Sequence, residues 1–239
     1  VLEHGHKVIL ASGRPTPGMR KAEKELELEK YGGYLLSFNG GRIIECKSGE
    51  IVYQRLLPEG IIPGLYRFAK ENSCGLVTYF GDSIISAFAP DPYVELESKI
   101  NGMPIRVVEN FKEFVDFDVN KCLLTADPER APQLERKLVE KYKGQVSSYG
   151  SEPFFIEAMP LNVDKAASLD KMLQTIGLTR EDAICCGDGF NDISMIKYAG
   201  VGVAMGNAQP PVKEAADYVT GTNDEDGLVE VVDKFVMGQ

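Results

Sequence analysis

The sequence predicts an α/β fold, a mostly parallel sheet interrupted by an α+β insert. Three observations predict it. At both ends of the chain, short apolar runs alternate with helix-forming stretches, the rhythm of strand–helix–strand units. Between about Leu57 and Met159 that rhythm gives way to strands spaced as antiparallel pairs with helices between them. After Pro160 the alternation returns.

Taken in order, Lys7-Val8-Ile9-Leu10-Ala11 is a short apolar strand that ends at Ser12-Gly13-Arg14-Pro15. Thr16 to Tyr31 reads as a helix, with Met19, Ala22, Leu26 and Tyr31 on one broad side. Tyr34 to Phe38 is the next strand, closing on Asn39-Gly40-Gly41, and Arg42–Glu45 with Ile51–Arg55 form a hairpin. In the insert, helices are expected over Pro63–Asn72, Asp91–Ile100 and Pro128–Tyr142. Its strands are Leu76–Phe80, Ser83–Phe88, Lys121–Thr125, Val146–Tyr149 and Phe154–Ala158, with Gly81-Asp82 as a hairpin turn. Past the insert come helices at Asp164–Ile176, Phe190–Tyr198 and Pro210–Ala215, and strands at Ala183–Cys186, Val201–Ala204 and Tyr218–Val219. A closing amphipathic helix, Asp224–Phe235, carries Leu228, Val231, Val232 and Phe235 at helical spacing. The expected division is a core of residues 1–56 and 160–239 with an insert of residues 57–159.

Bulk properties narrow the function classes. The 44% hydrophobic and 26% charged fractions over 239 residues are those of a globular chain with ample core. A net charge of −10 argues against a nucleic-acid surface, which demands basic patches. No apolar run reaches membrane-spanning length, so no membrane partner is expected. Five cysteines show neither a zinc spacing nor a disulfide framework, which points to a reducing, cytoplasmic setting. Oligomeric state is not encoded in any pattern of the chain.

Four places can do chemistry. Cys186-Gly187-Asp188-Gly189-Phe190-Asn191-Asp192 sets two carboxylates and an amide at the carboxyl end of a buried strand, where open α/β sheets bind ligands. Such carboxylates suit Mg2+ held beside a phosphate, although a Gly-Asp turn with an Asx cap has the same letters. Ser12 and Gly13 end the first strand and can grip a phosphate oxygen, or Ser12 can cap the following helix. Asn39 closes the neighbouring strand and can add an amide donor, or serve the turn alone. Lys165 opens a helix, where a cation opposes the macrodipole and calls for an anion, unless it is a solvated surface lysine.

These pieces resemble the haloacid dehalogenase (HAD) superfamily, specifically its Cof-type phosphatases. Leu10-Ala11-Ser12-Gly13-Arg14-Pro15 matches the second motif, Lys165 the third, and Gly187 to Asp192 the fourth. Ser37-Phe38-Asn39-Gly40 and the tail from Ala216 to Gly227 also look like that family. The resemblance implies a Rossmann-like core, a larger C2-type cap in the insert, and Mg2+-dependent hydrolysis of a small phosphate ester through an aspartyl-phosphate. It implies a metal role for Asp188 and Asp192, and phosphate contacts from Ser12, Gly13, Asn39, Lys165 and Asn191.

Two departures accompany the resemblance. The third motif reads Lys165-Ala166 where the family has Lys-Gly. The first motif, an Asp-x-Asp-Gly strand end whose aspartates are nucleophile and acid/base, is missing ahead of Ser12. It would precede Ser12 by roughly thirty residues, the size of a strand–helix unit, whereas eleven residues stand there. The opening Val1-Leu2-Glu3-His4-Gly5-His6 reads as a helix end, so an upstream segment is expected and the chain as written is expected to be inactive. Alternatives are a phosphomutase on the same core and a non-catalytic protein that binds a phosphorylated ligand.

Overall fold

The computed structural model describes residues 1–238. The chain forms two compact units. The first comprises Val1–Ala11, Leu26–Tyr53 and the chain from Asp164 onward; the second comprises Ser12–Glu25 and Gln54–Val163. Ser12–Glu25, expected with the core, thus groups with the insert.

Strand β1 (Ile9–Ala11) leads into a segment that is not the single helix expected over Thr16–Tyr31. A 3-10 turn at Thr16–Met19 precedes α1 (Arg20–Glu25), and α2 (Leu28–Tyr31) starts afresh after Glu27, whose φ of 49° is left-handed. The break has a packing cause. Leu26 is exposed while Leu28 is fully buried, so the apolar face cannot stay in helical register. Strand β2 (Tyr34–Ser37) pairs parallel with β1, Ile9 opposite Tyr34, and antiparallel with β3 (Arg42–Glu45); β4 (Ile51–Gln54) completes a sheet of order β1-β2-β3-β4.

The second unit continues with α3 (Ile61–Glu71), β5 (Gly75–Phe80), β6 (Ser83–Ser86), α4 (Pro92–Asn101), β7 (Ile105–Val107) and α5 (Phe111–Phe114). It closes with β8 (Cys122–Thr125), α6 (Ala131–Lys141), β9 (Val146–Glu152) and β10 (Phe155–Pro160). Strand β7 and helix α5 lack a sequence expectation; both are short and β7 is half-exposed, too brief for a periodic signal. The six strands form one sheet, β7-β6-β5-β8-β10-β9, antiparallel except for the β6–β7 pair. Alternation along β8 divides two cores. Cys122 and Leu124 join α3, α5 and α6, while Leu123 joins Val77, Ile84, Val94 of α4 and Phe155 on the other face.

Back in the first unit lie α7 (Lys165–Thr175), β11 (Ile184–Gly187), α8 (Ile193–Tyr198), β12 (Val201–Ala204), α9 (Pro210–Ala215), β13 (Tyr218–Val219) and α10 (Gly227–Val232). Strands β11, β12 and β13 run parallel in a second sheet. The parallel strands are therefore shared between two sheets, and β1 and β11 each pair on one side only. One apolar cluster serves both sheets: Tyr34, Leu36 and Ile43, Ala166 to Leu173 of α7, Cys185, and Met195 of α8. The closing helix starts later than expected because Asp226 is left-handed at φ 55° and ends a Thr222–Glu225 capping box. Val231 is buried, but Leu228 is 54% exposed and so leaves the expected apolar face. Among the described residues no helix is long and apolar enough to cross a membrane.

Helix α8 can lie on β12 because position 202 is glycine: a Cβ there would stand 2.1 Å from the Ile196 carbonyl oxygen. Gly202→Ala is expected to cost about 1–3 kcal/mol through forced backbone shifts, read as a lowered urea midpoint; an unchanged midpoint would contradict this packing.

Candidate active site

Strand β11 delivers Gly187 to the sheet edge and a tight turn carries the chain into α8. Asp192 closes that turn on itself. Its Oδ2 accepts hydrogen bonds from the backbone N–H of Asp188 (3.1 Å) and of Gly189 (3.0 Å). Its Oδ1 accepts from Lys165 Nζ at 2.5 Å. Gly187 makes room for this, since a Cβ there would fall 2.4 Å from Asp192 Cβ. Both partners are buried, with side chains 4% and 8% exposed. Lys165 stands at the start of α7, a helix capped by Asp164, which accepts from Ala167 N–H at 3.0 Å. The anion that a helix-start lysine calls for is thus supplied within the protein by Asp192.

The family resemblance implies a metal role for both Asp188 and Asp192, and the surroundings of the two carboxylates differ. Asp192 is buried with both oxygens engaged, whereas Asp188 is exposed and accepts from Asn207 Nδ2 at 3.2 Å. Asn207 in turn accepts from Asn223 N–H (3.1 Å), which ties the loops after β12 and β13 to the Asp188 turn. Sequence reasoning missed Asn207; its signal was a Gly206-Asn207 pair just past a strand, the mirror of Asn39-Gly40.

Asn191, next to Asp192 in the chain, turns to the neighbouring strand end. Its Nδ2 donates to Asn39 Oδ1 at 2.9 Å, which brings the carboxyl ends of β2 and β11 together. The loop that presents Asn39 is strained: Phe38, Asn39 and Gly40 have φ of 52°, 54° and 100°. A bulky residue such as Phe38 rarely adopts this region, and such outliers gather at functional sites. Gly40 is held by Ser168 Oγ, which donates to its carbonyl at 2.8 Å; a Cβ on Gly40 would sit 2.6 Å from that oxygen.

Ser12 and Gly13, directly after β1, open the second unit. Ser12 Oγ accepts from Arg14 N–H (3.2 Å), which leaves its own O–H as a donor. The Gly13 carbonyl accepts from Lys121 Nζ at 3.2 Å. The structure therefore holds Asp188, Asp192 and Lys165 in one hydrogen-bonded group and Asn191 with Asn39 in a second, adjoining it through the Asn191-Asp192 chain, and sets Ser12 and Gly13 in a turn of their own.

Among the described residues no three His, Cys, Asp or Glu side chains converge. One exposed carboxylate, Asp188, still fits Mg2+, which keeps several waters and is commonly held by one or two carboxylates plus a phosphate. The Cys185 and Cys186 thiols of β11 take no part: burial pushes them up to about 12 and about 11, so both are protonated at neutral pH. Asp224-Glu225-Asp226-Gly227 has the letters of the family's first motif but opens α10 instead of ending a strand.

Removing Asp192 would strand Lys165 as an unpaired buried charge and orphan two N–H groups. Asp192→Ala is therefore expected to lose about 3–5 kcal/mol of stability, measured by urea unfolding; a loss under about 1 kcal/mol, that of an exposed pair, would contradict the arrangement.

Comparison with known proteins places this geometry. The sequence profile of the haloacid dehalogenase-like hydrolases matches residues 1–232. The crystal structure of a haloacid dehalogenase-like hydrolase from Bacteroides thetaiotaomicron is similar at 45% identity and a TM-score of 0.94, covering 98% of this chain and 88% of that one. The 5-amino-6-(5-phospho-D-ribitylamino)uracil phosphatase YitU of Bacillus subtilis is 25% identical over 98% of this chain and 86% of its own length. YcsE of Bacillus subtilis, named for the same activity, is 51% identical over 87 residues, 36% of this chain and 35% of YcsE. The strand-end motifs, the site they build and these likenesses agree: the chain belongs to the haloacid dehalogenase-like hydrolase family.

Proposed function

We propose that this chain carries the phosphate- and metal-handling groups of a Mg2+-dependent phosphatase acting on a small phosphorylated metabolite. The observation that supports it best is the group built on Asp192: a buried lysine, an exposed carboxylate and an asparagine pair at the carboxyl edge of parallel strands. A protein of net charge −10 must meet a phosphate dianion with local positive groups. Lys165 has three donors and spends one on Asp192, so an ammonium fixed in place can face the developing charge. Asn191, oriented by Asn39, and the Ser12 hydroxyl with the Gly13 N–H are the further donors proposed for the phosphate oxygens. Asp188 is the residue proposed to hold Mg2+, which when bound screens phosphate charge and orients the ester. Asp192 acts through Lys165 and the turn, not as a direct ligand.

In this reading hydrolysis passes through an aspartyl-phosphate. Among the described residues no strand ends on Asp-x-Asp-Gly, so the aspartate this step needs is not among the site residues placed here. That observation favours, for the chain as written, a second reading: it binds the phosphorylated ligand with Mg2+ without turning it over.

The protein isolated from its natural source is expected to hydrolyse p-nitrophenyl phosphate only with Mg2+. Asp188→Ala should abolish that turnover, and Lys165→Ala should lower kcat by about 100-fold, the cost of losing one stabilising donor. Unchanged hydrolysis by Asp188→Ala, or full activity in chelator, would refute the assignment. The 239-residue chain should bind inorganic phosphate in calorimetry with Mg2+ and leave the ester intact; turnover by it would overturn the second reading.

A further inference from the structure

A second buried lysine–carboxylate pair lies in the second unit, and no role described so far uses it. On the α4 face of the six-stranded sheet, the apolar layer of Val77, Ile84, Leu123 and Phe155 gives way to a polar one. Lys121 and Glu157, 3% and 5% exposed, meet there at 3.1 Å. Every group around the pair is fixed. Tyr149, directly across from Glu157 in the β9–β10 ladder, donates its O–H to Glu157 Oε2 at 3.1 Å. Thr78 Oγ1 donates to the Lys121 carbonyl at 2.9 Å. Tyr79, whose ring centroid is 5.6 Å from Lys121 Nζ, donates its O–H to Glu97 at 2.7 Å. Beyond the sheet and α4, Lys121 Nζ reaches the carbonyl of Gly13, 3.2 Å away.

Buried ion pairs are poor sources of stability, since apolar residues of like volume usually do as well. A backbone carbonyl, however, can be held only by a donor, and the one held here belongs to the residue after Ser12. The turn has little else to fix it: the Arg14 N–H to Ser12 Oγ bond is exposed, and glycine at position 13 brings no side-chain anchor. Nearby, Asn101 at the end of α4 crowds Gly18, where a Cβ would lie 2.4 Å from its Oδ1, so the same segment is docked again five residues on.

We propose that Lys121, held by Glu157 and Tyr149, is a positioning residue that fixes the Gly13 carbonyl and so presents the Ser12 hydroxyl and the Gly13 N–H to a phosphate. This rests on the reading of Ser12 and Gly13 as phosphate donors. Lys121 itself does not touch the ligand. It removes the freedom of a glycine turn before binding, so that less is lost on binding.

The test uses Lys121→Met/Glu157→Gln, which removes both charges together and leaves no orphan ion in the sheet, with Tyr149→Phe as a milder second variant and Ser12→Ala as the reference. Three quantities are read: thermal midpoint, amide hydrogen exchange, and calorimetric affinity for inorganic phosphate with Mg2+. In the double variant, exchange at Gly13 and Arg14 should rise and phosphate Kd should weaken by about tenfold, as for loss of one charge-assisted hydrogen bond. Exchange in β5, β8 and β10 and the thermal midpoint should stay near wild type. Tyr149→Phe should move the first two readouts in the same direction by less. Wild-type exchange at Gly13 and wild-type Kd in the variants, beside a weakened Ser12→Ala, would overturn the positioning role alone. A Ser12→Ala protein with wild-type Kd would remove the phosphate-donor reading and the positioning role with it.

Discussion

The first unit depends on one carboxylate. Asp192 has two oxygens and three partners, and those partners come from elements far apart in the chain: the turn after β11 and the first residue of α7. The N–H bonds set the backbone of Asp188 and Gly189, and so the direction in which the exposed Asp188 carboxylate leaves the strand. The bond to Lys165 places an ammonium where a helix start would otherwise repel it. Helix α7 then serves as the brace for the neighbouring strand end, because Ser168, one turn on, holds Gly40 and thereby the strained Asn39 loop. The cost of burying the pair is offset only while each partner is present, which makes the arrangement brittle to single substitutions.

The second unit repeats the device with different atoms. Lys121 and Glu157 are buried as deeply as Lys165 and Asp192, and again a lysine is held by a carboxylate whose other oxygen is occupied. In both cases the carboxylate sets where the ammonium stands. The difference is that Lys121 also reaches the Gly13 carbonyl, whereas Lys165 is bonded to its carboxylate partner Asp192. An acidic chain can concentrate positive charge at chosen points in this way without a basic surface.

Much of this was legible in the residues. Asn39-Gly40 and Gly187-Asp188 fall at strand ends as their patterns indicate, and the hairpin, β12, α9 and β13 fall where their patterns put them. Partnerships were not legible. Nothing in the spacing says that Asp192 turns inward to Lys165 while Asp188 faces out, because that depends on Gly187 lacking a Cβ and on the turn returning its N–H groups to Asp192. The break at Glu27 escaped a reading by periodicity because charged residues surround it and only burial of Leu28 against exposure of Leu26 reveals it. Lys121 read as the first residue of a strand; its role needs Glu157 and Gly13, which are distant in sequence.

The central claim is a division of labour between two aspartates, one facing a metal and one holding a lysine. A crystal structure of the protein grown with Mn2+ in place of Mg2+ and inorganic phosphate tests it directly, since anomalous scattering locates the ion. The account predicts the ion beside Asp188, phosphate within reach of Lys165 and Asn191, and the Lys165–Asp192 bond intact. An ion ligated by Asp192 with Lys165 displaced, or seated away from the β11 edge, would contradict it.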